Sequence, residues 1–289
     1  MKKYILFCLC FILFSSSLEA KGTKIKLWKD AQITKSHKHS RSELIAYFPK
    51  DSLRNGTCVI ICPGGSYSHL AMKTEGYEVA QWFQSIGVTA FVLRYRVALR
   101  GNHHPAMIED MQRAIQIVRE NSAKFKINPH KLGLIGFSAG GHLVTMAGVY
   151  SNESFLLKKG IDTKVSLRPD FIMPIYPVVS MQDSIAHKKS RKSLLGKNTS
   201  EELKDKLSLE KHIPDDMPIV FLLAAKDDNV VDYRNSVALN NSLIKKNIPT
   251  KFLLFEKAGH GFGMFKTKTT QSQDWNLILK DWLSKNKFL

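Results

Sequence analysis

Leu132-Gly133-Leu134-Ile135-Gly136-Phe137-Ser138-Ala139-Gly140-Gly141 is the stretch on which the reading of this chain turns. Its first four residues are a short apolar run of strand type, and the next six place one serine between glycines in the pattern G-x-S-x-G. Glycine at the flanks lets a strand turn sharply into a helix without a Cβ clash, which exposes the serine Oγ and directs helix amides at an attacked carbonyl. The pattern alone also fits an ordinary tight turn. Its position at a strand-to-helix junction is what makes Ser138 a candidate nucleophile.

On both sides of this junction, apolar strands alternate with amphipathic helices. Strands are expected at Thr57 to Cys62, Val88 to Leu93, Lys131 to Gly136, Phe171 to Tyr176, Ile219 to Ala225 and Lys251 to Phe255. Helices are expected near Glu75 to Ile86, Pro105 to Lys124, from Ala139, near Tyr233 to Lys246 and near Gln271 to Lys285. Lys24 to Leu27 and Glu43 to Phe48 read as antiparallel strands at the sheet edge. Such alternation specifies the α/β class, with a mostly parallel central sheet covered by helices on both faces. A polar, basic stretch, Lys188 to Ile213, interrupts it as a small insertion, with Thr199-Ser200-Glu201-Glu202 reading as a capping box. It is either a surface insertion or a lid over the cleft.

At 289 residues with 44% hydrophobic content, the chain can bury one large core. The first twenty residues stand apart: basic Met1-Lys2-Lys3, apolar Tyr4 to Phe14, then a small and polar stretch ending at Ala20. This is the composition of a secretory signal, and the apolar run is too short for a stable membrane span. An uncleaved anchor is the competing reading, because Leu18 stands where a small residue is usual. The expectation is a signal at residues 1–20, a catalytic domain over residues 21–289, and a secreted or periplasmic product. Cys58 and Cys62 remain in that domain on one strand, which sets their Cα atoms roughly 13 Å apart, beyond the about 7 Å that a disulfide spans. Two buried free thiols are expected. The net charge of +18 is spread over scattered lysines and Lys188-Lys189-Ser190-Arg191-Lys192, without the interleaved aromatics that stack bases. Nucleic acid is therefore not an expected partner, and a solvated basic face is.

In an open α/β sheet, ligands gather at the carboxyl ends of the strands. Pro63-Gly64-Gly65-Ser66-Tyr67 follows the strand ending at Cys62 and suits an oxyanion turn, with Gly65 or Ser66 supplying one amide and Ala139 the other. Lys226-Asp227-Asp228-Asn229 follows the strand ending at Ala225, and either aspartate could orient a histidine. Ala258-Gly259-His260-Gly261 follows the strand ending at Phe255 and offers the general base. Ser138, then aspartate, then His260 is the chain order of a hydrolase triad.

These segments, together with His142, Ser193-Leu194-Leu195-Gly196 and Asn235-Ser236, resemble the α/β-hydrolase superfamily. More narrowly, they resemble the secreted BD-FAE-like esterases related to acetylxylan and feruloyl esterases, over roughly residues 43–285. The resemblance implies that Asp228 is the triad acid, because it matches the second aspartate of the family's Asp-Asp-Pro-Val-Val-Pro-like segment. Asn229 and Asp232 stand here where prolines are usual, and Ser66 where a third glycine is common. It also implies a serine esterase acting on acetyl, or feruloyl, groups of plant cell-wall polysaccharide such as xylan. A general carboxylesterase or arylformamidase-like hydrolase is the rival within the fold. A non-catalytic glycan-binding homologue is the rival outside catalysis. No cofactor and no metal are expected, the partner being an acylated carbohydrate or another small ester. Tyr67 is expected to line the acyl pocket, and His142 to pack structurally on its helix. His37-x-His39 and His103-His104 lack matching metal ligands.

Overall fold

The computed structural model describes residues 22–28, 42–197, 199–264 and 274–289. The expected signal at residues 1–20 and the His37-x-His39 pair lie outside them.

Eight strands form one sheet: β1 (Thr23–Lys26), β2 (Glu43–Tyr47), β3 (Cys58–Cys62), β4 (Thr89–Arg94), β5 (Leu132–Phe137), β6 (Phe171–Ile175), β7 (Ile219–Ala225) and β8 (Thr250–Phe255). Their order is β1-β2-β4-β3-β5-β6-β7-β8, with the β1–β2 and β2–β4 pairings antiparallel and every other pairing parallel. The chain runs outward from β3 to β4 and then returns to the other side of β3 to lay down β5. That reversal opens a crevice beyond the carboxyl ends of β3 and β5, where an open α/β sheet takes its ligands. Register places Cys62 beside Gly136, so the turn after β3 and the turn after β5 are neighbours from the moment the sheet forms.

Burial on both faces explains the continuous apolar strands. All of β3 is buried, with Cys58, Ile60 and Cys62 on one side and Val59 and Ile61 on the other. The first side packs against Met107, Met111 and Ile115 of α2 (Ala106–Glu120), Leu143 of α4 (Ala139–Val149) and Leu239 of α7 (Arg234–Lys245). The second packs against Val79 and Phe83 of α1 (Glu78–Ser85) and Trp275 and Leu279 of α8 (Trp275–Lys285). Cys58 and Cys62 carry buried free thiols, and burial pushes both up.

Two expected helices are not single pieces. The segment near Glu75 to Ile86 begins as a π-helical turn, Lys73–Tyr77, before α1. The segment near Pro105 to Lys124 divides at Asn121, whose side chain donates to the Ile117 carbonyl, closing α2 before the short α3 (Ser122–Phe125).

The insertion forms α5 (Lys188–Leu195) and α6 (Glu201–Lys206). Ser200 caps α6, its Oγ accepting the Leu203 N–H at 3.3 Å, one position after the Thr199 that heads the expected Thr-x-x-Glu box; Leu203 stands where such a box needs a glutamate, so the cap is a lone serine. The segment is docked rather than free: Leu194, Leu207 and Leu209 are buried, and the Leu194 carbonyl accepts the His104 N–H at 2.7 Å.

Candidate active site

Ser138 sits between β5 and α4 at φ 54° and ψ −117°, a conformation that non-glycine residues avoid. The surroundings hold it there: its N–H donates to the Ile175 carbonyl at 3.0 Å, and its carbonyl accepts the N–H groups of His142 and Val178. A Cβ on Gly140 would lie 2.0 Å from the Cys62 carbonyl oxygen, and one on Gly136 would lie 2.1 Å from the Gly140 carbonyl oxygen. Helix α4 thus presses against the end of β3, closer than any side chain permits, and the Ser138 hydroxyl is carried to the crevice.

His260 reaches the same point from the loop after β8. Its Nε2 lies 3.0 Å from Ser138 Oγ, and its Nδ1 lies 2.6 Å from Asp228 Oδ2. An ionised carboxylate can only accept, so Nδ1 carries the proton and Nε2 is left to accept the Ser138 hydroxyl hydrogen. The other oxygen of Asp228 accepts the N–H groups of Val230 and Val231, which locks the carboxylate in place. Asp227, the competing aspartate, has a different task. Its Oδ1 accepts the N–H groups of Ala258 and Gly259 at 2.9 and 2.8 Å, and these bonds hold its carboxyl below the usual range.

Gly65 takes φ +126°, and Ser66 and Tyr67 both lie in the left-handed region. The turn is tied by the Gly64 carbonyl to the Ala71 N–H, and by the Gly65 carbonyl to the N–H groups of Ser68 and His69. Among the described residues the amides of Gly65, Ser66 and Ala139 donate to no carbonyl. They are the three amides that the sequence nominates for an oxyanion.

Tyr67 departs from expectation. It is fully buried, and its hydroxyl lies 2.9 Å from His142 Nδ1, so the ring belongs to the core and not to the wall of an open pocket. His142, also fully buried, donates from Nε2 to the Leu207 carbonyl and thereby ties α4 to the insertion. His187, at the start of α5, is half-buried; burial lowers its pKa, and a protonated His260 lowers it further.

Two side chains absent from the sequence-based candidates also converge here. Tyr176, closing β6, packs its ring 4.8 Å from that of His260, and its hydroxyl donates to Glu75 at 2.9 Å. Glu75, in the π-helical turn, accepts the Gly64 N–H at 2.8 Å. The position of Tyr176 at a strand's carboxyl end was the available signal. Glu75 has none, being one polar residue within an amphipathic helix pattern.

The sheet order, the strained serine at the strand-to-helix turn and the loops at one rim define the α/β-hydrolase fold. The BD-FAE family model matches residues 44–243, and the chain belongs to that family. It is similar to an acetyl ester-xyloside bifunctional hydrolase of Caldicellulosiruptor lactoaceticus, at 33% identity and TM-score 0.83, over 95% of this chain and all of that one. It is also similar to the acetylxylan esterase of Xylanibacter ruminicola, 27% identical over 84% of this chain and 48% of that protein. The endo-1,4-beta-xylanase B of Butyrivibrio fibrisolvens is 32% identical over 75% of this chain and 34% of that protein. The chain spans a third to a half of these last two relatives' length. Esterase 2 of Thermogutta terrifontis shares the fold at TM-score 0.75 and 20% identity, over 93% of this chain and 96% of that one.

Proposed function

We propose that this chain is a serine esterase, with residues 21–289 as its catalytic unit. The observation that carries the reading is the continuous contact from Asp228 through His260 to Ser138, at 2.6 and 3.0 Å. His260 Nε2 takes the Ser138 proton as Oγ attacks the ester carbonyl, and Asp228 stabilises the imidazolium that forms. The carbonyl oxygen becomes an oxyanion held by the amides of Ala139 and of Gly65 or Ser66, each worth about 3 kcal/mol in the transition state. His260 returns the proton to the leaving alcohol. Water, deprotonated by the same imidazole, then releases the acid from Ser138 and restores the hydroxyl.

Acetyl groups on xylan are the proposed substrate. Support comes from the relatives, one named an acetylxylan esterase and another an acetyl ester-xyloside hydrolase. The signal-like composition of residues 1–20 supports export to where such polymers are met. Labelling with a fluorophosphonate, read on the wild type and on Ser138→Ala, tests the nucleophile: label should appear on the first and vanish from the second. A panel of acetylated xylan, feruloylated oligosaccharide, aryl acetate and formyl-kynurenine tests the substrate, and turnover confined to the last would end the carbohydrate reading.

A further inference from the structure

Glu75 is 5% exposed, and among the described residues neither lysine nor arginine pairs with it. Burying a carboxylate with no lysine or arginine against it, and only the imidazoles of His260 and His69 near enough to act on its charge, is costly, so packing alone does not account for it. Its two oxygens face two catalytic loops. Oε2 accepts the Gly64 N–H at 2.8 Å, one residue before the nominated oxyanion donor Gly65. Oε1 accepts the Tyr176 hydroxyl at 2.9 Å, and the same phenol oxygen accepts the Gly263 N–H at 3.0 Å, three residues beyond His260. The Tyr176 ring also packs 4.6 Å from Phe262, within that loop.

The spaces around this chain of bonds are tight. A Cβ on Gly64 would lie 2.7 Å from Glu75 Oε2 and 2.9 Å from Ser138 Cβ, and one on Gly263 would lie 2.8 Å from the Thr74 carbonyl oxygen. The π-helical turn Lys73–Tyr77 brings Thr74 and Glu75 to these contacts, a use of the π-turn that recurs at functional sites.

The geometry points to Glu75 and Tyr176 as positioning residues, a carboxylate–phenol strut that sets the oxyanion turn at Gly64-Gly65 against the loop carrying His260. The inference rests on the serine esterase reading. The strut works because a carboxylate is an acceptor on both oxygens while the phenol both donates and accepts. Glutamine cannot replace it. With its amide oxygen on the Gly64 N–H, its NH2 meets the phenol O–H donor to donor, and if that hydrogen rotates away to let the phenol oxygen accept, the hydroxyl hydrogen loses its acceptor. Reversed, its NH2 faces the Gly64 N–H. Burial raises the Glu75 pKa, and the bonds from Tyr176 and Gly64 oppose that rise.

The test compares wild type, Glu75→Gln, Tyr176→Phe, the double variant and Ser138→Ala on an aryl acetate. Rates are counted per site titrated with a fluorophosphonate, so that unfolded material drops out. The expected result is a roughly tenfold to hundredfold fall in kcat for each single variant, the scale of a small misplacement of reacting groups. KM should stay within about twofold, and the double variant should be no worse than the weaker single, because both changes break one strut. If Glu75→Gln does not fold, Tyr176→Phe carries the same expectation alone. Unchanged kcat, a loss carried by KM, or losses that multiply in the double variant would overturn the strut while leaving the esterase intact. A wild type that takes no label at Ser138 would overturn the esterase reading and the strut with it.

Discussion

Asp227 and Asp228 are adjacent in the chain and grip one loop at two different points. Asp228 Oδ2 lies 2.6 Å from His260 Nδ1, while Asp227 Oδ1 takes the N–H groups of Ala258 and Gly259. One aspartate orients the imidazole and the other anchors the backbone that carries it. Asp228→Asn should therefore lower kcat by about 10⁴, because an amide NH2 facing the ring imposes the wrong tautomer. Asp227→Asn keeps an acceptor oxygen and should cost only a few-fold, whereas Asp227→Ala should cost roughly tenfold through a displaced loop. Steady-state kinetics of the three variants on one aryl acetate decides it; equal losses at 227 and 228 would contradict the division of roles.

Gly140 and Gly160 offer a controlled pair. A methyl at Gly140 meets the Cys62 carbonyl at 2.0 Å, whereas at Gly160, with φ +67°, nothing lies within 4 Å. Gly140→Ala should destabilise by roughly 3 kcal/mol through a backbone clash. Gly160→Ala should cost about 1 kcal/mol, from its conformation alone. Urea midpoints measure both.

His142 sets a stability slope in acid. A carbonyl accepts at Nε2, so Nδ1 is the acceptor for the Tyr67 hydroxyl and the neutral ring fits both partners. Burial drives its pKa down from 6.5 to about 4. The unfolded ring binds a proton that the folded ring refuses, so stability falls as pH drops from 6.5 towards 4, by on the order of 3 kcal/mol in all. His142→Gln should make that slope shallower in urea titrations, leaving the share set by His104, whose pKa burial also lowers to about 4. An unaltered slope would assign the acid sensitivity elsewhere.

Glu75 acts in the opposite sense. Its folded pKa is raised from 4.5, so above that value the unfolded state gives up its proton first. Wild-type stability relative to Glu75→Gln should decline as pH climbs from 4.5 to the folded pKa and then level off. Paired denaturation curves across that range show it, and a pH-independent difference would count against an ionised, buried Glu75.

Much of this molecule is written locally. The strands are legible because burial on both faces demands short unbroken apolar runs such as Cys58-Val59-Ile60-Ile61-Cys62, and their alternation with amphipathic helices admits few other arrangements. Ser138 and His260 are legible because glycines flank them at strand ends. Their contact at 3.0 Å, across 122 positions, follows from strand order and register. Tyr67 misled for the reverse reason: its place after the glycine-rich turn suggests a pocket, and only packing against His142 shows a core residue.

By itself, then, the sequence determined the layered α/β architecture and the kinds of side chain at the strand ends, since periodicity and turn chemistry act over a few residues. Which aspartate meets the imidazole, where Tyr67 points, and the joining of Glu75 to Tyr176 and Gly263 were decided by tertiary structure alone. Those are matters of a few ångströms between segments far apart in the chain, and only the packed sheet with its loops brings them within hydrogen-bonding reach.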